Sequence, residues 1–188
     1  MKRRIGILTL LLASLGLLAA CQSFKPDELS MADIAVVDGG GKTIVSYGMP
    51  RETVEKTLGP GSEDEDMKWV IYEDALLSVW YRDGKAVGFI CSNPEYASPR
   101  GLQVGMPARN VRDQYGNKTL NRVTGSVAGG KSFIYAYDTR RKKPLDVDEK
   151  PLPSEEMKKQ VWFTALLDED NSVVNFSVVD GLMGNYLQ

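Results

Sequence analysis

The chain has 188 residues, with 23 Lys and Arg against 25 Asp and Glu, a net charge of −2. No clustered basic surface for phosphate contacts is expected from that balance, so nucleic-acid binding is not expected either. There is no histidine and there are two cysteines, Cys21 and Cys91, which removes the commonest general base and excludes a structural zinc site.

Lys2, Arg3 and Arg4 precede an almost unbroken apolar run from Ile5 to Leu18, which ends in Ala19-Ala20-Cys21. A positive start, an apolar stretch and small residues form the layout of a secretory signal. The stretch is too short, and too closely followed by a cleavage pattern, to read as a spanning helix. Leu18-Ala19-Ala20-Cys21 resembles the lipobox of bacterial lipoproteins. That resemblance implies cleavage before Cys21, a diacylglyceryl thioether on its sulfur and often a fatty acyl group such as palmitate on the new amino group. Each buried methylene contributes about 0.8 kcal/mol, so two or three chains anchor stably. Gln22 follows, not the Asp that tends to retain such proteins at the inner membrane of enteric bacteria. The expected location is therefore extracytoplasmic, on the outer membrane where the host has one and otherwise on the outer face of the cell membrane.

Without residues 1–20 the chain has 168 residues, 20 basic and 25 acidic, and a net charge of −5. That length suits one domain or two small ones. Residues 21–33 read as a polar tether. Ile34 to Val37, Gly39-Gly40-Gly41 and Thr43 to Val45 then suggest a short lead-in hairpin. The Gly39 to Thr43 run ends like a phosphate-binding loop, but position 36 is Val where such a loop needs Gly, and a strand rather than a helix follows.

The organisation after that is a repeat. Gly48-Met49-Pro50, Val54 and Gly59 recur at one constant offset as Gly105-Met106-Pro107, Val111 and Gly116. The order continues with Lys68-Trp69-Val70-Ile71-Tyr72 against Lys131-Ser132-Phe133-Ile134-Tyr135. Val79-Trp80-Tyr81 matches Val161-Trp162-Phe163, and Val87-Gly88-Phe89 matches Val174-Asn175-Phe176. Proline at 50 and 107 suits a first helical position. Val54 with Leu58, and Val111 with Tyr115, share a helix face, and Gly59 and Gly116 stand where a positive-φ cap is wanted. Strands are predicted at 67–73, 76–82 and 85–91, then at 131–138, 160–167 and 172–179. Asp83-Gly84 and Asp168 to Asn171 make the hairpin turns. The predicted fold is α+β: two tandem repeats, each a short helix on a three-stranded antiparallel meander, sharing one continuous sheet. The first repeat with its lead-in spans 34–98 and the second 99–188, with a charged, proline-bearing insertion at 140–159.

These motifs resemble the SmpA/OmlA group of small lipoproteins, which includes the BamE-like subunit of outer-membrane assembly machinery. A tandem pair of such units is similar to the β-lactamase inhibitory proteins, in which two repeats form one sheet whose aromatic face grips an enzyme. The resemblance spans about 44–91 and 101–179 and implies a protein partner in the envelope. It departs from that family at Pro50 and Pro107, where a Ser or Thr cap is usual, and in lacking the cysteines that brace the inhibitors.

No catalytic set is evident: there is no Gly-x-Ser-x-Gly, no histidine, and the carboxylates fall in loops. Asp64-Glu65-Asp66 and Asp168-Glu169-Asp170 lack the pattern of a calcium loop and read as solvated turns. Cys91 ends a strand and reads as a small buried hydrophobe. No enzyme activity, cofactor or metal is expected. Strand alternation puts Leu77, Val79 and Tyr81 on one face and Trp80 on the other, with Val161, Phe163, Ala165 and Leu167 likewise opposite Trp162. The predicted partner-binding residues are Trp80 and Trp162, joined through the repeat by Tyr72, Tyr135 and Tyr137, since Trp and Tyr dominate interface energetics. The same aromatics read equally as core, covered by the 140–159 insertion or the tether. A small ligand or cell-wall carbohydrate is the alternative occupant of such a face.

Overall fold

The computed structural model describes residues 24–66, 68–118, 131–145 and 154–186, without the side chains of 154–155 and 184–186. The signal sequence, Cys21 and insertion positions 146–153 lie outside the described residues.

The fold is α+β and its strands pair antiparallel. Ala35–Val37 (β1) and Thr43–Ser46 (β2) form the lead-in hairpin as a separate two-stranded sheet. Its turn is held by the Asp38 carboxylate, which accepts from Gly40 N and Lys42 N at 2.9 Å. The glycine run is thus turn material, with Thr43 already in the strand.

Two helices follow the Gly-Met-Pro motifs, Arg51–Leu58 (α1) and Ala108–Tyr115 (α2). Each proline stands one position earlier than expected, as the N-cap, with extended ψ of 140° and 152°. The reason is strand pairing: Pro50 bridges to Lys85 and Pro107 to Ser172, and an extended residue cannot begin a helical turn. Gly59 and Gly116 end the helices at φ of 80° and 91° with ψ near 180°, a region that only glycine enters freely.

The main sheet is built from Ser62–Glu63 (β3), Trp69–Tyr72 (β4), Leu77–Arg82 (β5), Lys85–Cys91 (β6), Ser132–Asp138 (β7), Lys143–Pro144 (β8), Gln160–Leu167 (β9) and Val173–Asp180 (β10). Among the described residues it is one eight-stranded sheet in the order β3-β4-β5-β6-β10-β9-β7-β8. It is larger than the expected six-stranded arrangement because a two-residue strand is added at each edge. Both edges are thereby blunt, and Pro144 removes a donor from one of them, which protects the sheet from edge-to-edge pairing. At the middle of the sheet β6 pairs with β10, from Phe176 opposite Cys91 to Val179 opposite Gly88.

One face of the sheet packs under α1, α2 and the β1–β2 hairpin. Val54, Val111 and Tyr115 from the helices meet Leu77, Val79, Phe89, Val161, Phe163, Ala165, Phe176 and Val178. Tyr115 stacks on Phe163 with ring centroids 4.3 Å apart. Two-turn helices are marginal alone; full burial of one such side chain contributes roughly 1.5–3 kcal/mol, so this packing is what holds them. Cys91 lies in the same core, fully buried, and burial pushes its thiol up to about 11.

Residues 24–33 are not a free tether. Leu29 is buried in the main core. Asp27 N donates to Tyr115 O at 2.9 Å, and the Asp27 carboxylate accepts from Lys118 N at 2.7 Å. The buried Asp33 carboxylate pairs with the Arg100 guanidinium through Nε at 2.6 Å and Nη2 at 3.0 Å. Arg100 also donates to the carbonyls of Lys25, Glu28 and Gln114 at 2.6–2.8 Å. All five of its N–H donors are thereby used, and its Cζ lies 5.2 Å from the Phe24 ring centroid and 4.8 Å from that of Tyr115.

Candidate functional site

The second face of the sheet carries all three tryptophans in one cross-strand row. Trp69 is opposite Trp80, Trp80 opposite Gly88, Gly88 opposite Val179, Val179 opposite Trp162 and Trp162 opposite Ala136. The row is not open. Met157 from Ser154–Met157 (α3) and Leu182 and Met183 from Gly181–Tyr186 (α4) pack on it, with Leu145, as a second apolar cluster. Trp69 and Trp162 are buried and Trp80 is half-buried. Trp162 Nε1 donates to Gln160 Oε1 at 3.4 Å, and the Arg82 guanidinium lies 5.0 Å from the Trp80 ring centroid.

Local geometry explains the cover. Asp180 ends β10 and its Oδ1 accepts from Met183 N at 3.0 Å, which fixes the start of α4. Its Oδ2 pairs with Arg82 Nη1 at 2.5 Å. Burial and the nearby Asp180 charge push the Tyr47 phenol above its ordinary range. A Cβ at Gly181 would lie 2.8 Å from Met157 O, and one at Gly88 would lie 3.4 Å from Met183 Sδ. Those two glycines let the C-terminal helix settle directly onto the tryptophan row.

The tyrosines go elsewhere. Tyr72 is opposite Leu77, Tyr135 opposite Phe163 and Tyr137 opposite Val161. Those partners line the helix-covered core, and all three tyrosines are buried there. The Tyr72 hydroxyl meets that of Tyr81 at 2.9 Å, and the Tyr135 hydroxyl donates to Gly116 O at 2.8 Å. The expected grouping of Tyr72, Tyr135 and Tyr137 with Trp80 and Trp162 is therefore corrected: strand parity sends them to the opposite face. Trp69, absent from the expected set, belongs to the row instead.

Beside the tryptophans the second face is less covered by the described residues. The next cross-strand row runs Ile71, Ser78, Ile90, Ser177, Thr164 and Ile134. Asn175, Leu166 and Ser132 continue it by one more row on β10, β9 and β7. No side chain in this strip is charged, and all but the buried Ile134 are half-buried. At its end Leu76 is 54% exposed and Val174 is 37% exposed. The irregular register between Val173 and Asn175 leaves Val174 without a strand partner on β9. Leu76 lies at that end because Ser92 N donates to Leu76 O at 3.0 Å. The strip mixes aliphatic groups with hydroxyl and amide groups. Among the described residues no group of three or more His, Cys, Asp and Glu side chains lies together to hold a metal. A depression of about 290 Å³ at the β3–β4 edge, lined in part by Ile71, Tyr72 and Ser62, touches the strip.

No family model matches the chain, and no curated protein matches it. Among solved structures, the chain aligns with an extracellular protein containing a SCP domain from Bacillus anthracis str. Ames, at 16% identity and a TM-score of 0.45. The alignment covers 73% of this chain and 45% of that one, so the chain spans less than half of that protein's length. Among the described residues no helix is long and apolar enough to cross a membrane.

Proposed function

We propose that this chain is an extracytoplasmic lipoprotein, held on a bacterial membrane through Cys21, that works as a non-catalytic protein-binding module. The observation that carries the binding reading is the uncharged strip of Ser78, Ile90, Ser177 and Thr164 on a molecule in which 26% of the residues are charged. Depletion of charged side chains is a feature of the centre of a protein interface. The tryptophans support that strip from beneath the C-terminal helix rather than forming it.

The tandem-repeat reading of the SmpA/OmlA resemblance belongs to the same proposal. It is supported by matched backbone pairing around the two Gly-Met-Pro motifs. Gly48 N donates to Ala86 O and Ala86 N to Met49 O; Gly105 N donates to Val173 O and Val173 N to Met106 O. Arg51 N to Gly84 O and Ala108 N to Asn171 O extend the match. Each unit thus locks its helix entrance to the hairpin turn before its last strand.

Affinity capture from solubilised envelopes tests the binding reading. The lipidated protein is compared with Ser177→Arg, which sets a charge in the middle of the strip. One envelope protein retained by the parent and lost by the variant, with unchanged circular dichroism, supports the reading. Retention by both contradicts it.

A further inference from the structure

We propose that residues 24–33 are a rigid mount that seats the molecule with the C-terminal end of α2 against the lipid and turns the uncharged strip away from it. This rests on the reading of Cys21 as the lipid anchor. Only Gln22 and Ser23 separate Cys21 from Phe24, whose ring lies against the Arg100 guanidinium, and backbone docking begins at the Lys25 carbonyl. Three Cα steps reach at most about 11 Å, so the domain cannot swing far from its anchor.

The docking is built to bear that load. Arg100 binds the mount at the carbonyls of Lys25 and Glu28 and at the Asp33 carboxylate, while the same guanidinium holds Gln114 O at the end of α2. Asp27 closes against the same end through Tyr115 O and Lys118 N. Gly116 is obligatory there: a Cβ would fall 2.2 Å from Asp27 Oδ1.

The direction follows from the layers. α2 lies on the core face, with Tyr115 stacked on Phe163. The strip of Ile90, Ser177 and Thr164 lies on the other face of the same strands. A mount on the helix side therefore places the sheet between the membrane and the strip. Lys25, within the mount and 3.7 Å from Glu28 Oε2, and Lys118, beside it, are the cations that lipid phosphates would meet there.

The test uses the full chain produced in a bacterial host and purified from membranes. It is reconstituted in nanodiscs of phosphatidylethanolamine and phosphatidylglycerol doped with a gadolinium-chelate lipid. Mass analysis of the N-terminal peptide first reads the diacylglyceryl group on Cys21; its absence overturns the anchor reading, and this proposal with it. In the lipidated protein, paramagnetic relaxation at the Lys25 and Lys118 amides should exceed that at Ile90 and Ser177 at least fivefold. Ten Gly and Ser residues inserted between Ser23 and Phe24, which leave every docking contact intact, should bring the ratio below twofold. A lipidated parent with near-equal relaxation, or a ratio the insertion leaves unchanged, overturns the mount while leaving the anchor standing.

Discussion

Asp33 and Arg100 form a paired, hydrogen-bonded ion pair in which the carboxylate side chain is fully buried and the guanidinium side chain is 2% exposed. The pair ties the segment before the first strand to the connection between β6 and α2. Removing one partner of such a pair strands the other in low dielectric. Arg100→Met should therefore cost about 3–5 kcal/mol, read as a lower urea midpoint. Adding Asp33→Leu to Arg100→Met should recover part of that loss, because no unpaired charge then remains. A double variant as unstable as the sum of the singles would mean that the two side chains do not act through each other.

The two helix-ending glycines should differ under substitution. Both hold a positive φ, which costs roughly 1–3 kcal/mol in an alanine. A Cβ at Gly59 meets open space, whereas one at Gly116 collides with Asp27. Gly116→Ala should be the more destabilising, and hydrogen exchange should show the amide of Asp27 losing protection. In Gly59→Ala that amide should stay protected.

Much of this arrangement was legible in the sequence. The six principal strands fall within about two residues of their predicted limits, because alternation and the Asp83-Gly84 turn define them locally. The face assignment of Leu77, Val79, Phe163 and Leu167 follows from the same parity. The tyrosines failed for an identifiable reason. The connection Glu73 to Leu76 pairs Tyr72 with Leu77 and Trp69 with Trp80, and counting across that short turn would have put Trp69, not Tyr72, beside Trp80. For Tyr135 and Tyr137 no such count exists, because the long insertion between β7 and β9 leaves their register to tertiary packing. The Asp33–Arg100 pair is long-range and leaves no local signature. The C-terminal helix begins at glycine and contains a second one, so its propensity is poor; the Asp180 cap and the seat on the tryptophan row hold it.

That seat gives a spectroscopic prediction. Gly88 leaves just enough room for Val179 and Met183. Gly88→Leu should lift α4 from the sheet at a cost of about 1–3 kcal/mol. Tryptophan emission should shift to longer wavelength as Trp80 and Trp162 meet water. An unshifted spectrum would show that α4 does not cover the row in solution.

Cys91 carries a pH prediction. Its thiol is pushed from 9.0 to about 11 by burial, partly opposed by a hydrogen bond to Asn93. Between those values the folded state holds a proton that the unfolded state has released, so stability falls as pH rises through the window. The loss should approach ~3 kcal/mol, and Cys91→Ala should flatten the slope between pH 9 and 11. The buried phenols of Tyr81, Tyr115 and Tyr135, raised chiefly by burial, push the same way at higher pH. Below pH 8 the native thiol should resist aromatic disulfide reagents and react at once in urea.

The central claim is that the uncharged strip meets a protein, and photo-cross-linking in intact cells reads it most directly. A photoreactive amino acid replaces Ser78, Thr164 or Ser177 on the strip, or Lys56 on α1 beyond the opposite face. The account predicts one discrete protein adduct shared by the three strip positions and absent from Lys56. Adducts absent from the strip, or the same from Lys56, would contradict it.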